Sequence, residues 1–381
     1  MGFGGLFRGI KPKWYDKGAK VGELVIDMGK HMKNKEILIR ADGNAQIGAG
    51  HLMRCLTIAE ALVDKEKVMF VCAQEASAQL VREQGYEAVV LDTDYQRPQE
   101  ELDLWSQLLG RGCRETAKRT ILVDSYYVTN SYLQGLRAYG RVVLLEDMGK
   151  QAWDVDVIIN YNAFAKRSMY EALHSPYDVQ YYLGGSYIPI RQMFCNRDYQ
   201  LKEQVEHVLI TTGGGDCENI AGQILQQIVT EDVQYHVVTG RYNPHYAKLS
   251  AMAQAQHNIH IYHDVKDMAG LMERCDLAVT AGGTTIYELC AIGVPFVCFS
   301  YAENQELLTE YVGNQQIAGF AGAFHKNAEQ TLQAIAMQIE ELKEDFALRL
   351  RYSQKEQRLV DGKGAARIAD VLVTIQSHAN L

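Results

Sequence analysis

The feature that most constrains this chain is an alternation of short apolar runs with segments whose apolar residues recur every three or four positions, and it occurs twice. Runs at Ile37–Arg40, Val68–Cys72, Ala88–Leu91, Thr120–Asp124, Val142–Leu145 and Val157–Asn160 read as strands, with helical segments between most of them. The helix expected over residues 51–63 shows the pattern well, with Leu52, Cys55, Leu56, Ala59 and Leu62/Val63 on one face. Periodicity then fails through the polar stretch 195–204 and resumes at Val208–Thr211, His236–Val238, Ile259–Tyr262, Leu277–Thr280 and Phe296–Phe299, with room for a sixth strand. Such βα alternation predicts an α/β fold of two Rossmann-like lobes with parallel sheets. The expected division is a basic arm at 1–35, a first lobe at 36–195 and a second lobe with a helical tail at 205–381. A tail of this kind, helical from Asn327 to Ser377, can cross back onto the first lobe.

A length of 381 residues suits two domains, and 47% hydrophobic residues supply two cores. No run of about 18 apolar residues could span a bilayer, so no membrane insertion is expected. The net charge of -9 argues against general binding of nucleic acid, and any anionic ligand has to be met locally. Eight cysteines lie scattered without CxxC spacing, several within apolar runs, as expected of buried free thiols in a reducing cytoplasm. Residues 1–35 carry eight Lys/Arg against three Asp/Glu and lack the apolar core of a secretory signal. They read as an arm without fixed structure, an artefact of start-codon choice, or a short segment that binds a membrane surface or a partner.

Open parallel sheets bind ligands beyond the carboxyl ends of their strands, which directs attention to four loops. The first, residues 41–51, carries Gly48, Gly50 and then His51 at a helix start. Its amides and helix dipole suit an anion, although the third glycine of a dinucleotide fingerprint is missing and NAD is disfavoured. At a helix N-terminus the positive end discourages protonation of His51, leaving the neutral ring that a general base requires. The alternative is a histidine that only caps its own loop. Asp42 and Asn44 are candidates to orient the ring, and Arg40 and Arg54 flank the loop with positive charge suited to a diphosphate. The second loop offers Asp124 and Tyr126 as sugar contacts, or as a capping acid and a packed ring. The third, with Gly213, Gly214, Gly215 and Asp216, has a backbone free to wrap a phosphate. In the fourth, Gly282, Gly283 and Thr284 suit a diphosphate and Glu288 a ribose, unless Thr285 and Glu288 form a capping box. Asn304 and Gln305 begin a further helix, and their amides can read hydroxyls and carbonyls.

Taken in order, Arg40-Ala41-Asp42, the segment 47–56, Asp124-Ser125-Tyr126, Asn160-Tyr161-Asn162-Ala163, Gly185-Ser186-Tyr187 with Ile190-Arg191, Gly214-Gly215-Asp216 and Ala302-Glu303-Asn304-Gln305 carry a resemblance. Over roughly residues 36–320 the chain resembles the UDP-2,4-diacetamido-2,4,6-trideoxy-beta-L-altropyranose hydrolases of pseudaminic acid biosynthesis. Spore-coat polysaccharide proteins share the His loop. That family is similar in fold to GT-B glycosyltransferases, including the GlcNAc transferase of peptidoglycan synthesis. The resemblance implies a central cleft between the lobes, with a UDP-sugar as partner and His51 as the base that directs water at the anomeric carbon. It implies Tyr126 and Arg191 near the sugar, with Asp42, Gly50, Asp124 and Asn162 on the same side. Gly214, Gly282, Gly283, Thr284, Glu288, Asn304 and Gln305 would hold UDP. The basic arm has no counterpart in the family.

No HExxH or close pair of aspartates with metal spacing is present in the sequence, so neither metal nor other cofactor is expected, and amides with arginine are the expected stabilisers of departing diphosphate. Two other functions fit the same residues: a GT-B glycosyltransferase in which the base activates an acceptor hydroxyl, and a nucleotide-sugar binder without catalysis. The oligomeric state is not encoded in any of these patterns.

Overall fold

The computed structural model describes residues 36–44, 47–109, 119–173, 178–213, 216–240 and 243–377. The basic arm expected at 1–35 and both Gly214 and Gly215 of the third loop lie outside the described residues.

The first lobe is built on seven parallel strands: β1 (Glu36–Ala41), β2 (Lys67–Cys72), β3 (Glu87–Val90), β4 (Arg119–Asp124), β5 (Arg141–Leu145), β6 (Val157–Asn160) and β7 (Gln180–Leu183). Their spatial order is β3-β2-β1-β4-β5-β6-β7. The second lobe has six: β8 (His207–Thr211), β9 (Gln234–Thr239), β10 (Ile259–His263), β11 (Leu277–Ala281), β12 (Phe296–Ser300) and β13 (Gly319–Ala323), in the order β10-β9-β8-β11-β12-β13. Every pairing between these strands is parallel. A sheet covered by helices on both faces needs unbroken apolar strands. Ile37, Leu38 and Ile39 of β1 and Leu277, Ala278 and Val279 of β11 are accordingly all fully buried.

Each sheet has one place where the strand order reverses, and a crevice forms there because the two flanking connections leave in opposite directions. In the first lobe it lies between β1 and β4, whose ends, Ala41 and Asp124, are directly paired. In the second it lies between β8 and β11, where Thr211 pairs with Thr280. The His51 loop and Asp124 therefore leave the sheet side by side although 73 residues separate the histidine from the aspartate.

The lobes are joined in two ways. Tyr161, Ile188, Ile190 and Phe194 share one core with Met272, Ile286, Tyr287 and Leu289 of the second lobe. The last of the three tail helices, Gly364–Ser377, also returns to the first lobe. Its Ile368, Ala369, Val371 and Leu372 join that lobe's core, and Thr120 Oγ1 donates to the carbonyl of Leu372 at 3.2 Å. Among the described residues seven cysteines are free, and no helix is long and apolar enough to cross a membrane.

Candidate active site

A cleft cavity of about 250 Å³ separates the two switch points. The first lobe contributes Gly50, His51, Arg54, Tyr126, Asp147, Tyr161 and Asn162; the second contributes Gly282, Gly283, Thr284, Tyr287, Asn304 and Gln305.

The first-lobe wall begins with the loop after β1. Gly48 sits at φ +72, a conformation glycine adopts without strain, and Asn44 N–H donates to its carbonyl at 3.2 Å, closing the turn. The turn delivers the helix Gly50–Glu60, whose N-terminus has no side-chain cap. On it His51 and Arg54 are three residues apart and so share a face. Both reach Asp124. His51 Nδ1 lies 2.6 Å from Oδ1, while Arg54 donates Nε to Oδ2 and Nη2 to Oδ1, both at 2.5 Å. Burial alone would raise the pKa of Asp124, but the Arg54 guanidinium and His51 outweigh it and hold the carboxyl well below its ordinary range.

That ionisation fixes the histidine tautomer. A carboxylate oxygen only accepts, so the ring nitrogen facing it carries the proton. Arg54 Nη2, 2.9 Å from the same nitrogen, is then a neighbouring donor to Asp124 and not a partner of the ring. In the neutral ring Nε2 is therefore the nitrogen without a proton. The Tyr126 ring packs edge-on against His51 with centroids 4.6 Å apart, and its hydroxyl donates to Asp147 Oδ2 at 2.8 Å. Arg54 Nη1 donates to Asp147 Oδ2 at 3.2 Å and to Tyr161 Oη at 2.5 Å.

The second-lobe wall is of another kind. The helix Thr285–Ile292 has Thr284 as its N-cap without a side-chain bond, so its first amides lack a side-chain acceptor. The two glycines before it differ. A Cβ at Gly282 would lie 2.6 Å from Thr309 Cγ2 and 2.9 Å from Gln305 Cβ, so packing demands glycine there. A Cβ at Gly283 would meet nothing within 4 Å, and its φ is not positive, so the fold makes no demand. Gly50, on the opposite wall, is equally unconstrained.

The residues singled out from sequence are thus distributed unevenly. Gly50, His51, Tyr126, Asn162, Gly282, Gly283, Thr284, Asn304 and Gln305 meet in the cleft. Asp124, 1% exposed, stands behind His51. Arg191 and Glu288 bond to each other at 2.7 Å in a small adjoining recess, so the capping box with Thr285 is not formed. Asp42 does not orient His51; it is buried against Arg40 and accepts from Ala73 N–H at 2.9 Å. Asn44 bonds Ile47 N–H in its own loop. Asp216 is bound at 2.6 and 3.0 Å by the amides of Ile220 and Ala221, which begin the helix Ile220–Ile228.

Arg54 is the largest revision. Its charge is not displayed to a diphosphate but matched to Asp124 and Asp147. Asp147, Tyr161 and Tyr287 are cleft residues to which the sequence assigned no role, although Tyr161 stands within the Asn160-Tyr161-Asn162-Ala163 motif. Asp147 was findable, since it stands two residues beyond the carboxyl end of β5. The phenols were not, because tyrosines next to apolar runs have the appearance of core.

Comparison with known proteins agrees with this architecture. Residues 207–370 match the model of the glycosyltransferase family 28 C-terminal domain. The chain is 26% identical to the spore coat polysaccharide biosynthesis protein SpsG of Bacillus subtilis, over 88% of this chain and 96% of that protein. It is 26% identical to the UDP-2,4-diacetamido-2,4,6-trideoxy-beta-L-altropyranose hydrolase of Campylobacter jejuni, over 71% and 93%. Among solved structures, MurG of Acinetobacter baumannii superposes with a TM-score of 0.60 at 13% identity, covering 89% of this chain and 99% of that one. The calicheamicin glycosyltransferase CalG4 gives 0.61 at 15%, covering 92% and 100%. The chain is thus similar in sequence to a UDP-2,4-diacetamido-2,4,6-trideoxy-beta-L-altropyranose hydrolase and to SpsG, and it has a GT-B fold whose second lobe matches the family 28 C-terminal domain.

Proposed function

We propose that the chain hydrolyses a UDP-linked 2,4-diacetamido-2,4,6-trideoxy sugar to UDP and the free sugar, as a step of pseudaminic acid biosynthesis. The observation that carries this reading is the His51–Asp124 contact of 2.6 Å beside Arg54, which assigns the proton of the neutral ring to Nδ1 and leaves Nε2 to act as the base at the cleft that His51 lines. Nε2 takes a proton from water as the water oxygen bonds to the anomeric carbon. The bond from that carbon to the β-phosphate oxygen breaks, and the electron pair leaves on UDP. Asp124 stabilises the imidazolium as it forms, and the amides of Thr284 and Thr285, at the start of a helix without a side-chain cap, receive the diphosphate charge. Tyr126 and Asn162 border the sugar, and Asn304 and Gln305 border the nucleotide. The relative named as a hydrolase of this sugar supports the choice of substrate.

Incubation with that UDP-sugar in oxygen-18 water, without acceptor, tests the reading. Label at C1 of the released sugar is the expected result; label in UDP would mean attack at phosphorus and remove His51 from its role. The match to the glycosyltransferase family 28 C-terminal domain favours a second reading, transfer to an acceptor hydroxyl. It predicts no turnover until an acceptor is supplied.

A further inference from the structure

The cleft walls belong to different lobes, yet a series of hydrogen bonds, passing from backbone to side chain within Asp147, runs between them. It starts at Tyr287, on the helix whose N-terminus carries Thr284. The Tyr287 hydroxyl donates to Asn162 Oδ1 at 3.0 Å and accepts from Ala163 N–H at 3.2 Å. Asn162 Nδ2 donates to the carbonyl of Asp147 at 3.4 Å. The Asp147 carboxylate receives Tyr126 and Arg54, and Arg54 grips Asp124 behind His51. Tyr287 is 2% exposed and Asn162 8%, so neither bond has water as an easy substitute.

We propose that Tyr287 is a positioning residue: its hydroxyl ties the second-lobe helix at the nucleotide loop to the Asn162–Asp147–Arg54 support of His51, so that filling one wall orders the other. The inference rests on the nucleotide site proposed above. The apolar packing of Tyr287 against Tyr161, with ring centroids 6.2 Å apart, is independent of the hydroxyl. Tyr287→Phe therefore keeps the shared core and removes both bonds.

Two measurements on the full chain test this. With UDP-sugar, Tyr287→Phe is expected to lower kcat about tenfold, within the scale of buried hydrogen bonds lost, with KM changed less than twofold. Combination with Asn162→Ala is expected to add little to the loss caused by Asn162→Ala alone, because both cut the same link. Hydrogen exchange with UDP alone supplies a readout that needs no turnover. In the wild type, UDP is expected to protect amides at 283–286 and also at 50–54; in Tyr287→Phe only the first protection is expected to remain. Protection of 50–54 equal in both forms, or absent in both while 283–286 is protected, overturns the inference and leaves the nucleotide site standing. No protection at 283–286 in the wild type overturns the site, and the inference with it.

Discussion

Each lobe buries a histidine to the same degree, 8% exposed, and the two are wired in opposite ways. His51 presents Nδ1 to a carboxylate that Arg54 keeps ionised. His236, in β9, has histidines on the adjacent strands: Nε2 lies 3.0 Å from His207 Nδ1, and the ring stacks on His260 at 5.3 Å. Its Nδ1 faces Tyr262 Oη at 3.0 Å. Burial, followed by His207, His260 and Arg274, lowers its pKa to about 4, with Asp276 opposing. Equal burial therefore says little about what a histidine does. The first has an anion in direct contact to stabilise its cation and opens on the cleft; the second has only the outweighed influence of Asp276 and does not line the cleft, and taking up a proton costs it stability.

The comparison breaks most readily at His51. His51→Ala is expected to lower hydrolysis by at least about a thousandfold, since it removes the base. UDP affinity should change less than threefold by calorimetry, because the proposed nucleotide contacts are in the other lobe. Equal loss of both would make His51 structural, and the contrast with His236 would disappear.

Asp124→Asn asks whether the carboxylate is the cause of the difference. The amide can donate to Nδ1, which places the ring proton on Nε2 and removes the base without disturbing volume. A loss of about a hundredfold or more in kcat is expected, with UDP binding retained. Activity close to that of the wild type would mean that Arg54 or the loop, and not Asp124, orients the ring.

How much of this was legible beforehand follows from the range of each signal. The two sheets were readable because fully buried parallel strands leave long apolar runs, as at residues 37–39 and 277–279. The strands with weak signals were not placed in advance: β13 is Gly-Phe-Ala-Gly-Ala and β7 is Gln-Tyr-Tyr-Leu, and neither forms an apolar run of branched residues. The candidate loops were readable because they follow strands. Which acid orients His51 was not, since Asp42, nine residues away, and Asp124, far along the chain, are equivalent until β1 is seen beside β4. The same limit hid Arg54, whose charge looks free until Asp147 arrives from β5.

The two glycines of the second-lobe loop sharpen the other half of the contrast, a wall built to hold and not to react. Gly283→Ala is expected to leave Tm within about one degree of the wild type and to weaken UDP binding about tenfold, because the added methyl meets no protein atom but fills the space above the helix amides. Gly282→Ala should show the reverse order of effects, costing about 1–3 kcal/mol of stability through its clash with Thr309 and Gln305. If Gly283→Ala binds UDP normally, the nucleotide lies elsewhere in the cleft.

The smallest effect belongs to His236. Its folded pKa is depressed to about 4, whereas in the unfolded chain it titrates near 6.5. Between those values the unfolded chain binds a proton that the folded lobe refuses, so stability is complete above about pH 6.5 and declines as the pH falls toward 4. The slope from this one group is at most about 1.4 kcal/mol per pH unit. Melting curves from pH 7 to 4 should show a shallower fall of Tm for His236→Gln than for the wild type. Parallel curves would show that the protons entering the histidine ladder are taken up by His207 or His260 instead, and that His236 is as well supplied with a counter-charge as His51.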